Sequence, residues 1–169
     1  ASSYETPKTL TIDNSGNVYL ATTFDFTTDS KKDVGLVKFN NAGTLQFESF
    51  YNAPISSISQ SRKLILDNNL TYALGTILND GSSHDIAVSN FDTHGFVQWQ
   101  NVVDHEAASN TASDMAKFGN NLYVIGTENP SGGTVIIKYD SIGSLEWMDT
   151  IHQSNFSRVA VQSNGNPVF

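Results

Sequence analysis

Apolar residues along this chain alternate with polar ones over short runs, and the runs are broken by Asn, Asp, Ser and Gly. In LTIDNSGNVYLAT, Leu10 and Ile12 alternate before the polar stretch Asp13–Asn17, and Val18 and Leu20 alternate after it. A period of two predicts strands, and a turn-rich interruption between two of them predicts a hairpin. The same reading predicts twelve strands. They lie near 8–13, 17–24, 34–40 and 44–51, then 62–67, 70–77, 86–91 and 96–103, then 113–118, 121–128, 134–140 and 144–151. No stretch carries a helical period.

The pattern returns every fifty or so residues. KFNNAGTLQF (Lys38 to Phe47) comes back as NFDTHGFVQW (Asn90 to Trp99) and as KYDSIGSLEW (Lys138 to Trp147). In each copy Asn or Asp opens a turn (Asn40, Asp92, Asp140) and glycine closes it (Gly43, Gly95, Gly143). An aromatic residue (Phe47, Trp99, Trp147) follows on the next strand. Asn or Asp first and Gly fourth is a type I turn signature, and glycine supplies the positive φ needed after the turn pair. A second hairpin precedes the first in each copy, aligning Tyr19, Tyr72 and Tyr123, and a further copy begins at VAVQSNGNPVF. Four strands in a repeat of this length predict an all-β chain of β-propeller blades, each of four antiparallel strands. A sandwich also has short strands, but it does not explain one aromatic at one place in every period. The expected blades are 8–57, 58–109 and 110–156, with an incomplete fourth at 157–169, an open arc or part of a larger ring. The expected neighbours are therefore further blades or a second copy of the chain. Trp99 and Trp147 are expected to pack one blade against the next, and Lys38 and Lys138 to sit solvated at strand ends.

The runs DNSGNVYLATT and DVGLVKFNNAGTLQF resemble the bacterial β-propeller repeat called SBBP, which reads Asp-x-x-Gly-Asn-x-Tyr, then Asp before an apolar strand ending in Lys, then Gly and an aromatic. The likeness covers nearly all of the chain from Lys8. Asp33 and Asp85 fit the aspartate, where the third copy has Gly133. Lys38 and Lys138 fit the lysine, where the second copy has Asn90. This resemblance implies a secreted or cell-surface bacterial propeller and no particular activity. A weaker likeness joins Asp92-x-x-Gly95-x-x-x-Trp99 and Asp140-x-x-Gly143-x-x-x-Trp147 to pyrroloquinoline-quinone-like propellers. Dehydrogenases of that group carry a cysteine pair beside the quinone, and this chain has no cysteine.

Composition narrows the function classes. The 169 residues include nine Lys and Arg against seventeen Asp and Glu, a net charge of −8 without a basic stripe. Nucleic acid and anionic membrane surfaces are poor partners for such a chain. No apolar run is long enough for a membrane-spanning helix. Without cysteine there is no disulfide, thiolate metal site or cysteine nucleophile.

The turns within hairpins are short and alike, whereas the connections between second and third strands and between blades are long and dissimilar. Strand direction places both variable sets at one end, here called the loop end. Binding groups concentrate on variable loops held by a rigid scaffold. The candidate binding residues are therefore Asp25, Asp29, Asp80, His84, Asp104, His105, Glu106 and His152. Imidazoles at His84, His105 and His152, or carboxylates at Asp25, Asp29 and Asp33, have ligand chemistry but lack the spacing of a zinc or EF-hand motif, so no metal or cofactor is assigned. Nucleophile-elbow and phosphate-loop motifs are absent as well. The expected function is a non-catalytic binding or scaffold module that recognises a protein or a glycan through the loop end. The alternative is a carbohydrate-active propeller enzyme whose loop carboxylates meet at the axis.

Overall fold

The computed structural model of the chain describes residues 4–26, 31–50, 60–78, 83–104, 109–130 and 132–169. Every regular element among them is a strand. The first antiparallel sheet contains β1 (Tyr4–Ile12), β2 (Val18–Phe26), β3 (Lys31–Phe39) and β4 (Leu45–Phe50) in chain order. The second contains β5 (Gln60–Asp67), β6 (Leu70–Leu78), β7 (His84–Phe91) and β8 (Val97–Val103). The third contains β9 (Ser109–Phe118), β10 (Asn121–Asn129), β11 (Gly133–Tyr139) and β12 (Leu145–Ile151). A fourth sheet has two short strands, β13 (Ala160–Val161) and β14 (Pro167–Val168). Contacts between sheets gather on first strands: β5 meets β1 and β2, β9 meets β7, β5 and β6, and β13 meets β9. The sheets therefore fan out from a common inner edge as propeller blades, three complete and a fourth begun, without closing a ring.

The repeated turns fold for the reason their sequence suggests. The backbone N–H of Gly95 donates to Asp92 O and that of Asp92 to Phe96 O, and the same pair of bonds recurs at Asn40 and Asp140. The first side chain adds two more bonds, since Asp92 Oδ1 accepts the N–H groups of His94 and Phe96 at 2.9 Å each. Asn40 and Asp140 do the same in their own turns. This side-chain mimicry of a turn is what Asn and Asp contribute. The inner hairpin of the second sheet lacks the glycine and instead uses a tight turn with Asn68 at φ 53°. Asn tolerates that left-handed conformation better than most residues.

Each middle sheet is covered on both faces, so its central strands lose the strict polar alternation and β6 is buried along nearly its whole length. Let the front of a sheet be the face toward the preceding sheet and the rear the face toward the following one. The rear of the first sheet presents Tyr19, Ala21 and Leu36 to Leu64, Ala73 and Phe91 of the second. The rear of the second presents Tyr72, Leu74 and Val88 to Met115, Val124, Ile137 and Tyr139 of the third. Tyr123, Ile125 and Ile136 on the rear of the third meet Val159, with Phe156 and Val161 beside them. Burying side chains of this size contributes roughly 1.5–3 kcal/mol each.

Aromatic residues interlock the sheets at the turn glycines. Phe47 stands over Gly95, where an added Cβ would lie 2.5 Å from its ring, and Ser49 Oγ donates to Gly95 O at 2.5 Å. Trp99 stands over Gly143 in the same way, again 2.5 Å from an added Cβ, and Asn101 Nδ2 donates to Gly143 O at 2.6 Å. Trp99 thus packs one blade against the next, as its place in the repeat predicts. Trp147 has the corresponding position on the third sheet but is 40% exposed.

The lysines differ from expectation. Lys38 and Lys138 sit in cross-strand rows, Tyr19–Lys38–Phe47 and Tyr123–Lys138–Trp147, on the rear of their sheets. The Lys38 ammonium lies 5.0 Å from the centre of the Tyr19 ring, and Lys138 lies 5.8 Å from that of Tyr123 while pairing with Glu146 at 2.5 Å. Sheet packing and cation–π attraction hold them between the sheets rather than free in solvent. The hydrogen bond to Glu146 raises the Lys138 pKa.

Candidate binding site

Two adjoining clefts lie at the end of the molecule that carries the tight turns, between inner hairpins of neighbouring sheets, and a smaller one of about 220 Å³ is lined by Asn101 to Asp104, Tyr139, Leu145 and Met148. The larger of the adjoining pair encloses about 600 Å³ between the first and second sheets. Its wall from the first sheet is Thr11, Ile12 and the turn Asp13–Asn17, backed by Tyr19 and Lys38, and its wall from the second is Leu66, Asn68, Asn69 and Thr93. A second cleft of about 490 Å³ follows between the second and third sheets, lined by Ile65, Leu66, Asp67, Asn68, Lys117, Gly119 and Asn120. Asn68 and Leu66 belong to both clefts.

These walls are polar because they are built from turns. Asp13 is committed within its own turn. Its Oδ1 accepts the N–H groups of Ser15 and Asn17 at 2.9 Å each, and its Oδ2 accepts Asn17 Nδ2 at 2.8 Å and the Tyr19 hydroxyl at 3.4 Å. The Asn17 side chain, with those other donors, holds the Asp13 carboxyl below its usual range. Lys38 Nζ reaches Thr93 O of the second sheet at 3.4 Å. Lys63, Lys117 and Lys138 each pair with a carboxylate, at Asp114, Asp67 and Glu146, whereas Lys38 has none among the described residues. The larger cleft thus holds an ammonium that forms no ion pair among the described residues, the Asp13 carboxylate, several amide and hydroxyl groups, and the apolar Ile12 at 58% exposure. In the second cleft Lys117 is neutralised by Asp67 at 2.6 Å, lies 5.7 Å from the Tyr72 ring centre and also donates to Gly119 O. Burial, helped by the Asp67 charge, raises the Tyr72 phenol.

The loop end is only partly described. Asp29, Asp80, His105 and Glu106 lie outside the described residues, and Asp25 is described only as backbone, paired with Tyr4 and Lys32 at the end of β2. His84 opens β7, half-buried, with its backbone N–H and ring Nδ1 at 3.2 and 3.3 Å from Ser109 Oγ. Asp104 follows β8 and His152 follows β12, both exposed. Among the described residues no three of His, Asp and Glu stand together as a metal site.

Acidic residues with a different role emerge beneath the loops. Asp85, Asp114 and Glu128 are all nearly fully buried. Asp114 on β9 pairs with Lys63 of β5 at 2.6 Å and accepts the Val159 N–H at 2.9 Å. One carboxylate thereby ties the second and third sheets to the segment that starts the fourth. Nothing in the repeat signals this residue, because the equivalent places hold Thr9 and Lys63. The clefts escaped the sequence for a related reason. Their walls come from turns about fifty residues apart, and the turns look alike and structural one at a time. Comparison of the chain with protein-family models and with curated proteins finds no match.

Proposed function

We propose that the chain is a non-catalytic binding module of a secreted or cell-surface bacterial protein, and that it takes a glycan in the clefts at the turn end. The observation that carries this reading is the pair of adjoining clefts sharing Asn68, lined by carboxamides and hydroxyls, with Asp13 and the unpaired Lys38 in the larger one. Carboxamides both donate and accept hydrogen bonds, as the hydroxyls of a sugar do. Exposed Ile12 offers an apolar patch for a sugar ring. Clefts repeating from one sheet pair to the next suit a polymer that meets several sites at once. The compartment rests on the resemblance to SBBP repeats. The loop end, where a ligand is expected from variable length alone, contributes His84, Asp104 and His152 as described side chains; Asp104 lines a small cleft without the other two, and the three share none.

The test is a printed array of neutral and uronic-acid oligosaccharides probed with the labelled chain. Binding is expected, and Asn69→Ala or Lys38→Gln is expected to weaken it by about tenfold, the loss of one good hydrogen bond. Unchanged binding in both variants, or loss only on replacing His84, Asp104 and His152, overturns the turn-end site. A chain that binds no saccharide but captures a peptide overturns the glycan.

A further inference from the structure

The row that crosses the rear of each sheet near the turn end has a lysine at its centre in the first and third sheets, but Asn90 in the second, between Tyr72 and Trp99. Lys38 serves both ends of its row, 5.0 Å from the centre of the Tyr19 ring and 5.9 Å from that of Phe47. Asn90 reaches less far. The ammonium over Tyr72 comes instead from Lys117 of the third sheet, at 5.7 Å, and the Trp99 end of the row receives none among the described residues. The room left there is a cleft of about 250 Å³, further from the inner edge than the cleft at Asn68, and lined by Leu70, Asn90, Gln98, Trp99, Ser141 and Ile142.

Two polar groups of this cleft are incompletely used. Asn90 is 1% exposed and makes one long hydrogen bond among the described residues, from Nδ2 to Thr71 O at 3.4 Å, which leaves Oδ1 to accept another. Trp99 stands where the first sheet has Phe47, and its indole N–H is buried without a partner among the described residues. Buried polar groups are nearly always paired, so a spare acceptor and a spare donor on paired residues call for a bound group that complements both. None of the lining side chains is charged, so a carboxylate or an ammonium would enter without a counter-charge.

We propose that this cleft takes the acetamido group of an N-acetylated amino sugar. The proposal rests on the glycan reading above and adds to it a substrate class and a further site. The acetamido N–H donates to Asn90 Oδ1, its carbonyl accepts from the indole N–H, and its methyl group packs on Leu70 and the exposed Ile142. A plain hydroxyl in the same place leaves one of the two polar groups unpaired and the apolar wall uncovered.

The test titrates the chain by calorimetry with chitotetraose and with cellotetraose, which has the same linkage but a hydroxyl in place of each acetamido group. Chitotetraose is expected to bind about tenfold more tightly. Two exchanges with precedent in the other sheets address the site. Asn90→Lys refills the row as Lys38 and Lys138 do, and is expected to bring the two tetramers to equal affinity. Trp99→Phe removes the indole N–H and keeps a ring, which Phe47 shows to serve over a turn glycine, and is expected to leave a preference of about threefold. Equal affinity of the unaltered chain for both tetramers overturns the acetamido site and leaves the glycan reading standing. A preference that survives both exchanges overturns the site as well. Binding of neither tetramer overturns it too, and the array of neutral and uronic-acid oligosaccharides then decides the glycan reading separately. A preference lost in Asn90→Lys but unchanged by Asn69→Ala and Lys38→Gln upholds this site and takes the glycan away from the two larger clefts.

Discussion

Tyr139 occupies the place held by Phe39 and Phe91 in the first two sheets, and its ring packs 6.0 Å from that of Trp99. Its hydroxyl is buried with no hydrogen-bond partner among the described residues. A buried hydroxyl without a partner costs free energy that a phenyl ring does not. Tyr139→Phe is therefore expected to raise stability by about 1 kcal/mol in urea unfolding at neutral pH. Burial also pushes the phenol above its ordinary 10.0. The neutral form is favoured in the folded chain, so that stability is fully present below pH 10.0 and falls as pH rises past it toward the folded value. The variant is expected to lose less stability than the parent chain on titration above pH 10.0, and an identical loss in both would contradict the assignment.

At the level of strands and turns, much was legible in the sequence because alternation and turn chemistry agree with the fold. The twelve predicted strands are all present. The residues missed at the start of each sheet's first strand share one cause. The first strand of each sheet was expected to start at 8, 62 or 113, but β1, β5 and β9 begin at Tyr4, Gln60 and Ser109. The register slips at Lys8, Arg62 and Ser113, where one extra residue enters the strand. A bulge reverses the in-out order of side chains, so the alternation stops there although pairing continues. The outer hairpins slip likewise at Gln46, Gln98 and Glu146, which brings the next aromatic residue to the rear face. The interlock makes a prediction at this scale. Gly143→Val places a branched side chain at φ 83° and against the Trp99 ring, and is expected to cost about 3 kcal/mol or more. Adding Trp99→Ala removes the clash but not the backbone strain. In a double-mutant cycle by urea unfolding the pair is therefore expected to be less damaging than the sum of its parts.

For the whole molecule, the periodic sequence announces a set of like blades, and the structure adds what joins them. Asp114 is the clearest case, since its partners Lys63 and Val159 lie on different sheets. Asp114→Ala leaves the buried Val159 N–H without its acceptor, a loss of about 1–3 kcal/mol, while Lys63, whose side chain is 37% exposed, turns to water. The expected signature in hydrogen exchange is faster exchange at Val159 and in β13 than in β6 and β7. Uniform protection throughout would remove Asp114 from that role. The site was less legible than the fold. Four of the eight residues chosen for loop variability lie outside the described residues, and the two turn-end clefts come from turns whose neighbours are set by how the sheets stack.

Because the rear faces of the first two sheets offer an aromatic ring and the outer hairpins that follow them offer a bare glycine, the stack has a polarity that repeats from sheet to sheet. Copying or deleting one whole period would keep this ring-and-glycine contact, although contacts peculiar to one interface, such as Lys63 with Asp114, would have to be remade. Growth in that manner changes the number of clefts while the ring-over-glycine contact is kept. The same grammar of ring and glycine that holds two sheets together thus also sets how readily the molecule's capacity can be counted up or down by gene duplication.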